Sequence, residues 1–249
     1  MKNMSDCARR IAVFSDVHGN LAALESVLSD LDRLGVDEVY SLGDVVGYGP
    51  EPEECTRLVR ERGIEMVLGN HEQGLLGDYY LSWFNPQARD MLLKTRALLS
   101  DDSLRWLTSR PKSMERCGCR FVHGCPPSDV RTYIYSCHAR LGEVFASFAE
   151  SVCFVGHTHE LWHYEFDGAE GTRQALDRVV TLDPETRHII NVGAVGQPRD
   201  GNPNAKYVIY EPHTRRLEVC FVPYDIERTV KRIKDRGFPA VYGRRLGSN

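Results

Sequence analysis

Residues 11–20 read IAVFSDVHGN, and this stretch carries most of the fold prediction. Its apolar half is typical of a buried strand that ends at Asp16, where polar residues begin. Asn20 predicts a helix N-cap, because leucine and valine recur at helical spacing over 21–34 and Gly35 is suited to end a helix. The stretch therefore predicts a strand, a polar loop and a helix in that order.

The same unit repeats further along the chain. Strands are predicted at 38–42 and 65–68, with a helix at 52–62 between them. Each strand runs into a glycine followed by a polar residue, Asp44 in the first case and Asn70 in the second. Strands that alternate with helices predict a βαβαβ arrangement, in which the carboxyl ends of parallel strands share one edge of the sheet. The polar residues after these strands are therefore expected to lie together.

The second half of the chain is richer in strand patterns. Strands are predicted there at 119–124, 151–159, 161–166, 188–193, 206–211 and 216–222. A helix at 138–150 interrupts them, and a closing helix is predicted at 225–236. Alternating polar and apolar residues in several of these strands predict a second sheet with hairpins, packed on the first. The fold class is thus α/β (α+β), a two-sheet sandwich flanked by helices.

The chain is expected to form a single domain over 1–249. Its length suits one large α/β domain, and a hydrophobic fraction of 42% is enough for a core. Asn85 and Pro86 predict a capped helix that runs to about residue 100, and a shorter helix is predicted at 102–109. We interpret these helices as a flank or a helical lid over about 72–110.

Charge and hydropathy exclude several classes of protein. The 31 Lys and Arg nearly balance the 35 Asp and Glu, and the net charge of −4 gives no strong nucleic-acid or membrane-surface signal. No run approaches the roughly 20 apolar residues of a membrane span, and the polar start lacks the apolar core of a signal peptide. A cytoplasmic protein is expected. An anionic substrate would then need a local source of positive charge, such as bound metal.

The cysteines are predicted to be reduced thiols, because a chain of this length without a secretory signal does not need disulfides. The eight are Cys7, Cys55, Cys117, Cys119, Cys125, Cys137, Cys153 and Cys220. The group at 117–137 lacks the paired CxxC spacing of a structural zinc site, so buried thiols in strands are the favoured interpretation.

Carboxylate, imidazole and amide side chains follow the predicted strands. In chain order they are Asp16, His18, Asp44, Asn70, His71, His123, His157 and His159. Any one of these fragments alone is more often an ordinary turn than a site, but together they recur directly after strands that share an edge. Mixed carboxylate and imidazole ligands suit Mn, Fe and Zn better than Mg or Ca. Two His and two Asp would serve one metal, and the remaining His and an Asn oxygen would join a shared Asp on the second.

The series resembles the signature of the calcineurin-like metallophosphoesterase superfamily: D-x-H, G-D, G-N-H-[DE], H and G-H-x-H, over residues 16–159. The resemblance implies an αββα sandwich and two metal sites that share Asp44 as a bridge. The ligands that it implies are Asp16, His18, Asp44 and His159 for one metal, and Asp44, Asn70, His123 and His157 for the other. Mn or an Fe/Mn pair is expected, with Zn, Ni or Co as alternatives.

The resemblance also implies the reaction. Two divalent ions about 3.5–4 Å apart lower the pKa of a bridging water and neutralise the phosphate that the resulting hydroxide attacks. His71 resembles the catalytic histidine that protonates the leaving oxygen, a role that suits an imidazole of near-neutral pKa. The alternative is that His71 only hydrogen-bonds a ligand. We therefore expect a metal-dependent phosphoesterase acting on phosphodiester or phosphomonoester bonds of small or nucleotide-like substrates.

Two departures from the family pattern narrow the prediction. Many members, protein phosphatases especially, carry G-D-x-x-D-R-G, but Gly47 and Tyr48 stand here in place of the Asp that orients the catalytic histidine and the Arg that grips phosphate. His71 then needs another partner. The segment 191–201 resembles one in a subgroup of bacterial and archaeal phosphoesterases, and its Arg199 is either a phosphate ligand or a solvated turn residue.

Several further interpretations stay open at this stage. A dinucleoside polyphosphate hydrolase and a serine/threonine-type protein phosphatase are alternatives, and the missing Asp-Arg pair argues mildly against both. A metal-binding scaffold or regulatory subunit would show gaps among the ligands, and the sequence has none. Aromatic residues at 79–84 make a homodimer plausible, and Tyr48, Trp83, Phe84 and Tyr133 are either core residues or walls for a base.

Overall fold

Two six-stranded mixed sheets form the centre of the computed structural model, which describes residues 9–247. Cys7 lies outside these residues. The strands are β1 (Ile11–Phe14), β2 (Glu38–Ser41), β3 (Glu65–Met66), β4 (Ser113–Arg116), β5 (Cys119–Val122), β6 (Val152–Val155), β7 (Leu161–Phe166), β8 (Gly171–Ala175), β9 (Val179–Thr181), β10 (Arg187–Val192), β11 (Ala205–Glu211) and β12 (Arg216–Val222).

Helices occupy most of the connections. They are α1 (Leu21–Leu34), α2 (Pro52–Glu61), α3 (Asn70–Gly74), α4 (Asp78–Leu81), α5 (Pro86–Leu98), α6 (Asp101–Thr108), a 3₁₀ helix (Ile134–Arg140), α7 (Leu141–Ala146), α8 (Ile226–Asp235) and α9 (Ala240–Gly247). The predicted cap of α1 is confirmed, because the Asn20 side chain accepts from the Ala23 N–H and Gly35 ends the helix in the left-handed conformation. Asn85 caps α5 in the same way.

The strand order explains why one edge of the sandwich collects the polar loops. The first sheet runs β3-β2-β1-β11-β12-β9 and the second β4-β5-β6-β10-β7-β8. β1, β2 and β3 are parallel, as the βαβαβ prediction requires, and β5, β6 and β10 are parallel in the second sheet. Their carboxyl ends therefore deliver loops from both sheets to the same side of the molecule.

Three apolar layers hold the sandwich together. The inner one lies between the sheets, where Val13 and Tyr40 of the first pack with Phe121 and Phe154 of the second. A second layer joins the first sheet to its helices, and a third joins the second sheet to α7 and the 3₁₀ helix. This αββα arrangement confirms the predicted fold class. Helices of the 72–110 region contribute Leu75, Leu92 and Leu107, among others, to the second layer.

Some local predictions were wrong. β4, β8 and β9 were not predicted, and the segment after 237 forms α9, which the pattern did not show. The helix predicted at 138–150 is shorter and begins as a 3₁₀ helix.

No disulfide joins the seven cysteines within the described residues. No helix of residues 9–247 is long and apolar enough to cross a membrane. The cytoplasmic location and the homodimer stay predictions.

Candidate metal centre

The loops that follow the parallel strands bring all seven predicted ligands together. Asp16, Asp44 and Asn70 come from the loops after β1, β2 and β3 of the first sheet. The histidines come from both sheets: His18 from the first, and His123, His157 and His159 from the second. Each of the seven side chains belongs to a residue that is at most 9% exposed. The site thus lies across the seam between the sheets.

Most ligands sit on unusual backbone. Five of them have positive φ, between 50° and 67°: Asp16, His18, Asp44, His157 and His159. The left-handed region costs an ordinary residue roughly 1–2 kcal/mol, and such strain concentrates at functional sites. Hydrogen bonds between the loops hold these conformations, for example from the His18 N–H to the Asp44 carbonyl at 2.9 Å. The loops are therefore built to aim these side chains at one point.

Hydrogen bonds fix which nitrogen of each histidine carries the proton. His18 Nδ1 lies 3.1 Å from the Val46 carbonyl and His159 Nδ1 lies 2.6 Å from the Gln197 carbonyl, and a carbonyl can only accept. Each ring therefore donates from Nδ1 and keeps a lone pair on Nε2. The two Nε2 atoms nevertheless face each other at 3.1 Å, and Asp16 Oδ1 lies 3.1 Å from His159 Nε2. This first group of lone pairs needs a cation between its members.

A second group of lone pairs lies beside the first. His123 Nδ1 donates to the Leu42 carbonyl and His157 Nε2 donates to the Arg131 carbonyl, at 2.9 and 2.8 Å. Their other nitrogens, His123 Nε2 and His157 Nδ1, are 3.2 Å apart, and Asn70 Oδ1 lies 2.9 Å from His123 Nε2. With His123 neutral, as a metal ligand must be, this group too consists only of acceptors and needs a cation among its members.

Asp44 connects the two groups. Its Oδ2 lies 3.3 Å from His123 Nε2 and 3.7 Å from His18 Nε2, while its Oδ1 accepts the His71 N–H. Asp16 Oδ1 is buried and has no hydrogen-bond donor among the described residues. Ligands about 2.1 Å from a transition metal are roughly 3.0–3.5 Å from one another, which matches these separations. The donor set therefore fits two transition-metal ions that share Asp44.

The electrostatics of the cluster agree with its geometry. Burial lowers the pKa of His157 to about 3 and of His159 to about 4, so both imidazoles are neutral, as metal ligands must be. Burial also acts to lower the pKa of His123, but the Asp44 carboxylate outweighs it and raises that pKa to about 9. The pKa of Asp44 is lowered, because His123 and His71 outweigh its burial. The cluster thus favours added positive charge next to Asp44.

Another histidine pair shows that proximity alone is not enough. His163, Glu165 and His188 also lie within reach of a single ion. Their hydrogen bonds close without one, because His188 Nε2 donates to the Asp183 carbonyl, His163 Nε2 donates to His188 Nδ1, and Gln174 donates to His163 Nδ1. This pair is therefore a satisfied structural chain of hydrogen bonds.

His71 lies at the edge of the two groups of lone pairs. Its Nε2 is 4.0 Å from Asp44 Oδ2, and its buried Nδ1 has no hydrogen-bond partner among residues 9–247. Rings surround it instead: Tyr48, His18 and Phe84 lie at centroid distances of 4.6, 4.7 and 5.4 Å. Burial lowers its pKa to about 3, so the near-neutral pKa expected from the sequence is wrong. The imidazole is neutral and held by packing.

Arg199 lies beside the centre, as the sequence suggested. Its backbone N–H donates to the His159 carbonyl at 3.2 Å, and its side chain is exposed. The preceding Gln197 supplies the carbonyl that fixes the His159 tautomer. The segment 191–201 is therefore part of the wall of the site.

Two buried residues of the site were not assigned a role from the sequence. Glu72 accepts the backbone N–H groups of Gly69, Asp44 and Val46, at 2.8–3.2 Å, and so ties two ligand loops together. Asn191 donates to the Gly156 carbonyl at 2.9 Å, which anchors the loop of His157 and His159. A glutamate at the third position of the short helix α3 was the available signal for Glu72.

Comparisons with known proteins extend this description. A symmetrical bis(5'-nucleosyl)-tetraphosphatase of Pectobacterium carotovorum is 36% identical over 100 residues, which cover 39% of this chain and 35% of that enzyme. The match therefore spans about a third of the length of that relative.

Two relatives match along almost the whole chain. An uncharacterized protein of Methanocaldococcus jannaschii is 34% identical over 241 residues, which cover 95% of this chain and 96% of that protein. The crystal structure of a metallophosphoesterase from Sphaerobacter thermophilus is 40% identical, with 97% of this chain and 99% of that chain covered and a TM-score of 0.82. The sequence profile of the calcineurin-like phosphoesterase superfamily domain matches residues 10–215. The chain belongs to the calcineurin-like phosphoesterase superfamily.

Proposed function

We propose that this protein uses two divalent transition-metal ions to hydrolyse phosphodiester or phosphomonoester bonds of small or nucleotide-like substrates. The observation that carries the proposal is the pair of lone-pair groups joined by Asp44. When bound, the ions would supply a water of lowered pKa as nucleophile and would neutralise the charge of the phosphate. Mn or an Fe/Mn pair suits the mixed ligands, with Zn, Ni or Co as alternatives.

The geometry supports a division of the ligands. Asp16, His18 and His159 would hold one ion, and Asn70, His123 and His157 the other, with Asp44 shared. The backbone carbonyls that accept from the far side of each ring hold the rings in position and keep the ligating nitrogens unprotonated. The hydrogen bonds on both sides of each imidazole support this division.

His71 is proposed to assist the leaving group. It lies next to the shared carboxylate but does not face either group of lone pairs as closely as the ligands do. A neutral imidazole can still donate a hydrogen bond from Nε2 to an oxygen on which negative charge develops. Its position, between the centre and a wall of aromatic rings, supports this role.

Arg199 is proposed to contact the phosphate from the side of the site where His159 lies. Its exposed guanidinium follows a backbone that is bonded to the His159 carbonyl, so it can reach a group bound between the metals. A planar guanidinium matches phosphate oxygens with two parallel hydrogen bonds.

A dinucleoside polyphosphate hydrolase is the second candidate. The likeness to a bis(5'-nucleosyl)-tetraphosphatase favours it, although the match covers only 35% of that enzyme. The absence of the Asp-Arg pair at Gly47 and Tyr48 argues mildly against this candidate and against a protein phosphatase. A scaffold without catalysis would not need two sets of converging lone pairs.

The test is an assay of bis(p-nitrophenyl) phosphate and p-nitrophenyl phosphate with Mn²⁺, Fe²⁺, Co²⁺, Ni²⁺, Zn²⁺ and Mg²⁺. We expect turnover with transition metals and not with Mg²⁺ alone. Asp44→Asn should abolish turnover and lower the metal content. Full activity of metal-replete Asp44→Asn, or a wild-type protein without metal and without turnover, would contradict the proposal.

A further inference from the structure

The loop between β5 and the 3₁₀ helix carries an arginine that no part of the proposed chemistry uses. Asp129 accepts the N–H groups of Arg131 and Thr132 at 2.6 and 2.9 Å, which makes a tight turn. The Arg131 carbonyl in turn accepts from His157 Nε2 at 2.8 Å. The backbone of Arg131 is therefore fixed directly behind one of the candidate ligands.

The side chain of Arg131 is placed by an aromatic surface. Its guanidinium carbon lies 3.7 Å from the ring centroid of Trp83, within the range of a cation–π contact. Tyr79 and Tyr80 pack edge-on against Trp83, at centroid distances of 5.1 and 4.9 Å, and hold that ring in turn. A guanidinium that stacks by its face keeps its N–H edge free to donate. Arg131 is thus oriented before any ligand arrives.

The guanidinium of Arg131 also has no acidic partner among the described residues. Within residues 9–247 no carboxylate lies within 4.0 Å of its guanidinium, whereas about half of the arginines there have an acidic partner within that distance. The nearby Asp129 carboxylate is already occupied by its own turn, including the Thr132 hydroxyl at 3.0 Å. The positive charge is therefore available to an anion from outside the protein.

The position of this guanidinium decides which part of a substrate it can meet. Trp83 precedes Phe84, whose ring packs against His71, and Arg131 itself lies behind His157. The backbone of Arg131 thus touches one candidate ligand, and its guanidinium lies on Trp83, the chain neighbour of a residue that packs against His71. Arg131 is exposed, while the candidate ligands are buried.

We propose that Arg131, stacked on Trp83, binds a second anionic group of the substrate, next to the phosphate that the metals hold. This inference rests on the proposed function and narrows its substrate class to molecules with at least two phosphates, such as nucleoside diphosphates and polyphosphates.

Binding measurements test the proposal without turnover. Inorganic phosphate and adenosine 5'-(α,β-methylene)diphosphate, whose bridging carbon resists hydrolysis, are titrated by calorimetry into protein of measured metal content. Arg131→Gln should weaken binding of the diphosphate analogue at least tenfold and that of inorganic phosphate less than threefold. Arg131→Lys should recover only part of the lost affinity, because an ammonium does not stack on a ring or donate two parallel hydrogen bonds as a guanidinium does.

Arg140→Gln is the matched control, because Arg140 is exposed, lies nine positions away in the same segment and pairs with Glu143. It should leave both affinities within twofold. An Arg131→Gln variant that binds the analogue as the wild type does, or that loses both ligands equally, overturns the proposal. A wild type that fails to hydrolyse either chromogenic ester would sink the proposed function instead, since the affinity difference does not depend on turnover.

Discussion

At the scale of single residues, contact with Gly47 helps to hold His71 in place. Its φ is +94°, and a Cβ added there would lie 2.0 Å from His71 Nδ1. The family's aspartate at this position would orient the histidine by a hydrogen bond, but here the Nδ1 edge of the ring lies against bare backbone. Tyr48 and Phe84 close on it from other directions. Packing has replaced the hydrogen bond, so the position tolerates only glycine.

Gly47→Ala should therefore damage both stability and activity. The positive φ and the collision with His71 are expected to cost about 2–3 kcal/mol of unfolding free energy, and the displaced ring should lower kcat at least tenfold. Gly63→Ala is the control, because Gly63 has φ +64° and nothing within 4 Å of an added Cβ. Urea unfolding and chromogenic assays measure both variants. Equal effects of the two would show that contact with His71 is irrelevant.

His71→Ala separates the acid role from a ligand role. We expect both metals to stay bound and kcat to fall by a factor of about 10²–10³, the usual contribution of one hydrogen-bond donor to an oxygen that gains negative charge. Metal analysis of the purified variant, together with kcat, gives the answer. His138→Ala serves as the control, since His138 is exposed on the 3₁₀ helix. Loss of one metal equivalent from His71→Ala would make His71 a ligand.

At the scale of elements, the predictable parts are those where several signals coincide. The unit of β1 and α1 was predicted with its ends because an apolar run, an N-cap and a terminal glycine agree. The missed strands, β4, β8 and β9, are all at sheet edges. An edge strand needs little apolar surface, and GTRQA at 171–175 accordingly has no strand pattern. The sequence of α9 likewise has no clear helix pattern, because it has glycine in its interior.

Lys206 shows how an element can support the site through a buried charge. It lies in β11 and is 0% exposed, and its Nζ donates to the Asn202 and Asn204 carbonyls and pairs with Asp200 at 2.9 Å. These bonds fold the segment that carries Arg199 back onto the sheet. The strand pattern of KYVIYE at 206–211 does not predict a buried lysine, because the partners of Lys206 come from the preceding loop.

Lys206→Met should loosen that segment while keeping the apolar stem. Two carbonyls and a carboxylate lose their donor, so we expect the free energy of unfolding to fall by about 2 kcal/mol, and KM to rise more than kcat falls if Arg199 binds substrate. Lys231→Met is matched in chemistry but removes only an exposed pair with Asp235, and should cost less than about 0.5 kcal/mol. Indistinguishable unfolding curves for the two variants would refute a supporting role for Lys206.

At the scale of the whole molecule, neither sheet could form the site alone, because the ligands come from loops of both sheets. The sequence predicted the ligand set because each residue follows a strand, and the geometry brings all seven together. It could not show which nitrogen of each ring faces the centre. That is set by carbonyls far away in sequence, such as Leu42 for His123 and Gln197 for His159. It also could not show the left-handed backbone of the ligands, which only the contacts between loops maintain.

Because the ligands come from both sheets, metal binding should stabilise the entire sandwich. Without cations the converging lone pairs and carboxylates repel one another, and bound ions turn that repulsion into a link across the seam. At a Mn²⁺ concentration 100-fold above Kd, one site adds about 2.7 kcal/mol, which raises Tm by about 5–10 °C for a chain of this length. Thermal unfolding after chelator treatment, with MnCl₂ titrated back, measures the shift. MgCl₂ is the control and should give a much smaller one, since Mg²⁺ prefers oxygen ligands. Asp44→Asn removes the shared ligand and should lose most of the Mn²⁺ effect; a full shift in that variant would place the stabilising ions elsewhere.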